Sequence, residues 1–125
     1  MPSEKKPDVQ HCVKRDVGKE MYTCLPWRAL KEVAKNGTMG NRMYGQDNWR
    51  SEEDENRWLN AGLRHIQQHM AGDIRDASDL LAGESTPGLH LAKAAWNLLA
   101  AAEVILKREQ LAKEKEAQTY ELPLR

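Results

Sequence analysis

The chain has 125 residues, a length that fits one domain able to bury roughly two thirds of its unfolded surface. Nineteen Lys and Arg face nineteen Asp and Glu, so the net charge is zero. That balance argues against a general nucleic-acid binder, which carries a basic excess. Nothing reaches the run of about 18 apolar residues that spans a membrane.

The N-terminal residues Met1 to Asp8 lack the apolar stretch of a signal peptide, and the expected location is the cytoplasm. Cys12 and Cys24 then read as free, inert thiols, too few for a structural zinc. Phe is absent and Trp occurs four times, so large apolar volume must come from Trp, Leu and Met.

Residues 1–24 are polar, without a clear period, and read as an extended arm. Pro26 opens a first helix, whose apolar face is Leu30, Val33 and Ala34. Asn36 and Gly37 predict its end, which leaves 38–50 as a loop carrying Arg42, Tyr44, Asn48 and Trp49. Ser51, with Asp54 three residues on, predicts the cap of a second helix that runs to Met70 or Ala71 and stops at Gly72. Its expected apolar stripe is Leu59, Leu63, Ile66 and Met70. The acidic run 52–55 reads as capping and solubility.

An acidic connection, 72–88, leads to a last helix from about Leu89 to Glu116. Its expected buried face is Leu91, Ala95, Leu98, Leu99, Ala102 and Leu106. The pattern is all-α, a small helical bundle at 25–117 with a long C-terminal helix and a tail at 118–125. Three helices make a thin core for this length, so pairing of copies through the last helix is expected.

Three constellations carry chemistry. His65, His69 and Asp73 fall at i, i+4 and i+8 if the second helix reaches Asp73, and with Asp76 they could share a divalent ion. The alternative is helix-border histidines and capping aspartates. His90, Lys93 and Asn97 form a polar stripe on a helix otherwise rich in Ala and Leu; it either meets the histidine ridge or faces solvent. In the loop, Arg42 could grip phosphate, and Tyr44 or Trp49 could stack on a base. A Trp49 that simply plugs the core is the plainer alternative. No phosphate-cradling Gly-rich loop, dinucleotide fingerprint or nucleophile elbow is present.

The ordered series is Leu25-Pro26-Trp27 before an amphipathic helix, Gly40, Tyr44-Gly45, Asn48-Trp49, Arg57, Ala61, Leu63-Arg64-His65, Gly72-Asp73, Asp76, His90-Leu91-Ala92 and Ala95-Trp96-Asn97. Over residues 14–108 it resembles the phage-type dATP/dGTP diphosphohydrolase N-terminal domain family. The resemblance implies an all-α fold related to MazG-type pyrophosphohydrolases, a phage source, and metal-dependent cleavage of a purine deoxynucleoside triphosphate to monophosphate and pyrophosphate. It places His65, Asp73, Asp76 and His90 on the family's polar positions. Arg64, Asn48 and Tyr44 match its substrate face, and Asn97 its amide on the last helix. Asp73 stands where the family usually has Glu, Lys93 where it has a second His, and Met43 where it has Lys.

On this reading Asp73 and Asp76 hold Mg²⁺ or Mn²⁺, with His65 or His90 as further ligands, and a histidine takes the proton of the attacking water. Arg64, Lys93 and Arg42 offset the triphosphate charge, and Trp49 or Tyr44 stacks on the purine. Two rivals remain. One is a protein on the same fold that binds a nucleotide or a host protein without hydrolysis, which Lys93 favours. The other is a helical interaction module acting through the charged residues 103–116.

Overall fold

A computed structural model describes residues 12–121; the first eleven residues of the expected arm and the last four of the expected tail lie outside the described residues. The architecture is all-α. Three helices, α1 (Trp27–Tyr44), α2 (Glu55–Met70) and α3 (His90–Glu121), are joined by connections that hold short 3-10 turns at Asn48–Ser51 and Ala77–Leu80, and a third such turn, Tyr22–Cys24, precedes α1. No strand occurs among the described residues, only an isolated antiparallel bridge between Arg75 and Leu89. No helix of the described residues is long and apolar enough to cross a membrane.

Pro26 stands at the cap, one residue before α1 rather than at its first position, and its carbonyl accepts from Leu30 N at 2.9 Å. The expected stop at Asn36 and Gly37 is wrong: the helix runs through both and through most of the expected loop, to Tyr44. Gly37 is a contact point. A Cβ there would stand 2.7 Å from Trp96 Nε1, so only glycine lets the indole lie against the helix. The real stop is Gly45, whose φ of 98° suits glycine.

Asp54, not Ser51, caps α2. Its side chain accepts from Asn56 N, whereas Ser51 Oγ donates to the carbonyl of Asn48. The helix then ends at Met70 and turns at Ala71 and Gly72, as expected. α3 passes the expected end at Glu116 and continues to Glu121. At about 1.5 Å per residue it is about 48 Å long.

α3 packs chiefly on α2 and more lightly on α1. Its inward face corrects the expected one. His90, Lys93, Ala94, Asn97, Ala100, Ala101 and Val104 are buried, while Leu91, Leu98, Leu99, Ala102 and Leu106 are exposed. The stripe of α2 is rotated likewise: Gly62 is buried between half-buried Trp58, Leu59, His65 and Ile66, and Leu63 and Met70 look outward. The reason is common to both helices. Small residues at the seam let backbones approach, and Gly62 has Ala94 O and Asn97 Cβ at 3.5 Å from where its own Cβ would be. Polar residues can take the remaining inward places because they meet partners there.

Candidate functional site

The connection between α2 and α3 is tied back on itself. Asp76 N donates to Gly88 O at 2.8 Å and His90 N to Ile74 O at 3.0 Å, flanking the Arg75–Leu89 bridge. Arg75 Nη1 adds a bond to Pro87 O at 2.7 Å. These bonds bring Asp73, Asp76 and Asp79 against the first turn of α3, opposite the middle of α2.

His90 is fully buried. Its Nε2 lies 3.0 Å from Asp73 Oδ2, and its Nδ1 lies 2.9 Å from Nδ1 of His65 on α2. If Nε2–H donates to Asp73, the lone pair of His90 is on Nδ1, and His65 donates its own Nδ1–H to it. Asp73 thereby fixes which nitrogen of His90 faces the site. Burial lowers the pKa of His65, and the nearby His90 and Lys93 add to this, so the imidazole is neutral at pH 7.

Burial pushes the Asp76 carboxyl up, but two hydrogen bonds from Ser78 and the Lys93 charge outweigh it and hold the group below its ordinary value. His65, Asp76 and His90 each offer one ligand atom within 4.8 Å of the others. Two nitrogens about 2.1 Å from one ion and about 90° apart stand about 3 Å from each other, close to the spacing of the two Nδ1 atoms. The donor set therefore fits a divalent ion once the His65 proton sits on Nε2, which leaves a lone pair on each Nδ1. Two imidazoles with one carboxylate suit Mn²⁺ better than Mg²⁺, which prefers oxygen.

His69 joins none of this. α2 ends before Asp73, so the expected ridge of three does not form, and His69 Nδ1 is buried with no hydrogen-bond partner among the described residues.

Lys93 is also buried, and its Nζ lies 2.8 Å from Asp79 Oδ1, 3.5 Å from Asp76 Oδ2 and 3.3 Å from Asn36 Oδ1. Asp79 is a residue the sequence reading passed over. The signal for it was its position three after Asp76, with a lysine on the facing helix. Asn97 donates from Nδ2 to Lys93 O at 2.8 Å, within its own helix.

Above the cluster opens a cleft of about 630 Å³, lined by His65, Asp76, Asp79, Lys93 and Asn97 together with Asn36, Tyr44, Asn48, Trp49, Trp58 and Trp96. The aromatic wall is built edge to face. Trp96 meets Trp49 at 5.6 Å and Trp58 at 5.4 Å between ring centres, with planes 76° and 82° apart. Gly45 and left-handed Asp47, whose N–H is held by Asn41 Oδ1, set the turn that carries Trp49. Arg50 covers the Trp49 ring at 4.4 Å.

Arg64 borders a second, contiguous groove together with Tyr44, Asn48, Trp49 and Arg57. Arg57, which the sequence reading did not assign, stands seven residues before Arg64 on the same side of α2 and pairs with Glu52 at 2.7 Å. Arg42 is not among the cleft residues; it pairs with Glu84 across the outer side of α1. Of the expected residues, the structure thus gathers His65, Asp73, Asp76, His90 and Lys93 at one centre, and Tyr44, Asn48, Trp49 and Asn97 around the cleft beside it.

The family model described as "dATP/dGTP diphosphohydrolase, N-terminal" matches residues 10–114. No curated protein and no solved structure matches the chain. The chain belongs to that family.

Proposed function

We propose that this member of the dATP/dGTP diphosphohydrolase N-terminal family cleaves a purine deoxynucleoside triphosphate to the monophosphate and pyrophosphate, with a divalent ion held by His65, Asp76 and His90. The observation that carries the reading is the placement of His65 and Asp76, with fully buried His90 behind them, at a cleft of about 630 Å³ with a tryptophan wall, within the size range of small-ligand sites. An ion held there would offset triphosphate charge and help activate water, Mn²⁺ being the better match and Mg²⁺ the alternative.

The chain's own residues supply the rest. Asp73 orients His90. His65 is neutral at pH 7 and offers a lone pair, the property that a ligand and a proton acceptor both need. Trp49 and Tyr44 offer faces for the purine, and Asn48 and Asn97 offer amides to its polar edge. Arg64, with Arg57 beside it, offers positive charge to the phosphates from the neighbouring groove. In the reaction, water attacks phosphorus, the bridging P–O bond between the α and β phosphates breaks, and the water proton passes to a base at the centre.

The test is release of pyrophosphate from dATP and dGTP with Mn²⁺ or Mg²⁺. Turnover that disappears in Asp76→Asn supports the reading; wild-type protein that leaves both nucleotides intact with either ion rejects it. Lys93 favours a second reading, nucleotide or host-protein binding without hydrolysis, because its ammonium takes up acidic charge beside the site. A stabilising thermal shift by dATP without pyrophosphate would select that reading. The same proposal includes self-association through α3, supported by exposed Leu98, Leu99 and Leu106 on that helix.

A further inference from the structure

The acidic groups at the start of α3 are unequal. Asp76 faces both the histidine pair and Lys93, whereas Asp79 faces Lys93 and the loop. We propose that Lys93 is a built-in cation filling the position between Asp76 and Asp79, so that the centre takes one divalent ion and not two. The inference rests on the metal-binding part of the proposed function and adds its stoichiometry and the role of Lys93.

The geometry around Nζ carries it. An ammonium has three N–H donors, and three oxygens surround this one: Asp79 Oδ1 at 2.8 Å, Asn36 Oδ1 at 3.3 Å and Asp76 Oδ2 at 3.5 Å. Two carboxylates and an amide oxygen would equally be a donor set for a hard divalent cation, and the lysine occupies it. The lysine is also locked in. Gly88 N donates to Asp79 Oδ2 at 2.8 Å, and a Cβ on Gly88 would stand 3.4 Å from Lys93 Cε, so the loop closes directly on the side chain.

Charge counting agrees. Asp73, Asp76 and Asp79 bring three negative charges and Lys93 removes one. The two that are left match one divalent ion. A second ion would have to displace a buried ammonium from its partners and would face a like charge until it did so.

The test is titration of the full-length, chelator-stripped protein with Mn²⁺, read by the loss of the free-ion electron paramagnetic resonance signal, without nucleotide. The expected result is one ion per wild-type chain, two per chain in Lys93→Met, and one again in the double variant Lys93→Met with Asp79→Asn. Asp79→Asn alone is expected to keep the single ion with affinity unchanged within about threefold. That variant reads the proposal even if Lys93→Met fails to fold, because loss of the ion in Asp79→Asn would make Asp79 a ligand and overturn it. Two ions on the wild type, or a folded Lys93→Met that takes only one, also overturn it while leaving the hydrolysis reading intact. Wild-type protein that takes up no Mn²⁺ overturns it together with the Mn²⁺ site at His65, Asp76 and His90, and leaves hydrolysis to the pyrophosphate assay.

Discussion

At the scale of single residues, the histidine pair is the element most open to experiment. Asp73 touches the far nitrogen of His90 and not the cluster itself, so Asp73→Asn should lower Mn²⁺ affinity and turnover by about 10- to 100-fold, the usual cost of losing an outer partner. The thermal midpoint should stay near that of the wild type, since half of this side chain is already in solvent. His65 and Asp76 make stability depend on acid in the ion-free chain. His65 titrates below its ordinary 6.5 when folded, so the unfolded chain takes that proton first. Its stabilisation is complete above 6.5 and is lost as pH falls toward the folded value. Asp76 follows the same sign from its ordinary 3.8 downward. Thermal unfolding in chelator should therefore show two acid steps, and His65→Gln should remove the upper one; an unaltered upper step would mean another group produces it.

At the scale of elements, two helical glycines make opposite predictions. Replacing a helical Gly by Ala gains about 1 kcal/mol in propensity. At Gly62 the new methyl meets neighbours at 3.5 Å, ordinary contact, so Gly62→Ala should be neutral or stabilising in a denaturant midpoint. At Gly37 it meets Trp96 Nε1 at 2.7 Å, and Trp96 cannot retreat from Trp49 and Trp58, so Gly37→Ala should cost about 1–3 kcal/mol.

The same glycine shows where the sequence was legible and where it was not. Asn36 followed by Gly37 has the local chemistry of a helix end, and the reason it is not one lies 59 positions away in Trp96, beyond any local pattern. The all-α class, the start of α1 and the stop of α2 rest on local signals and were readable. The inward faces of α2 and α3 were not. Hydrophobicity favours Leu98 and Leu99 inside, whereas His90, Lys93 and Asn97 go inside because Asp73, Asp79, Asn36 and a backbone carbonyl await them. At the site, His65 and His90 could be named from their types, but the pairing of half-buried His65 with fully buried His90 depends on the loop closure at Asp76 and Gly88.

At the scale of the whole molecule, the core is small. The buried apolar residues are Val33, Ala92, Ala94, Ala100, Ala101 and Val104, none of them large, and the polar centre shares the interior with them. Beyond Val104, α3 runs on with exposed side chains to Thr119, pinned to the body where Lys107 Nζ donates to Arg50 O at 3.5 Å and Arg108 Nη2 to Glu55 Oε2 at 2.6 Å. Truncation after Leu111 keeps both pins. It should change the stability of a dilute single chain by no more than about 0.5 kcal/mol, as surface changes do. A larger loss that grows with protein concentration would mean that a second copy packs on this overhang.

The tryptophan wall has an optical consequence. Three of the four tryptophans touch one another at the cleft, while Trp27, at the start of α1, is 59% exposed. Indoles in edge-to-face contact couple electronically, so near-ultraviolet circular dichroism and emission from this cluster should stand out against the solvent-exposed signal of Trp27. A purine entering the cleft would quench the inner emission and leave the outer one unchanged, so the protein carries its own binding signal without a label.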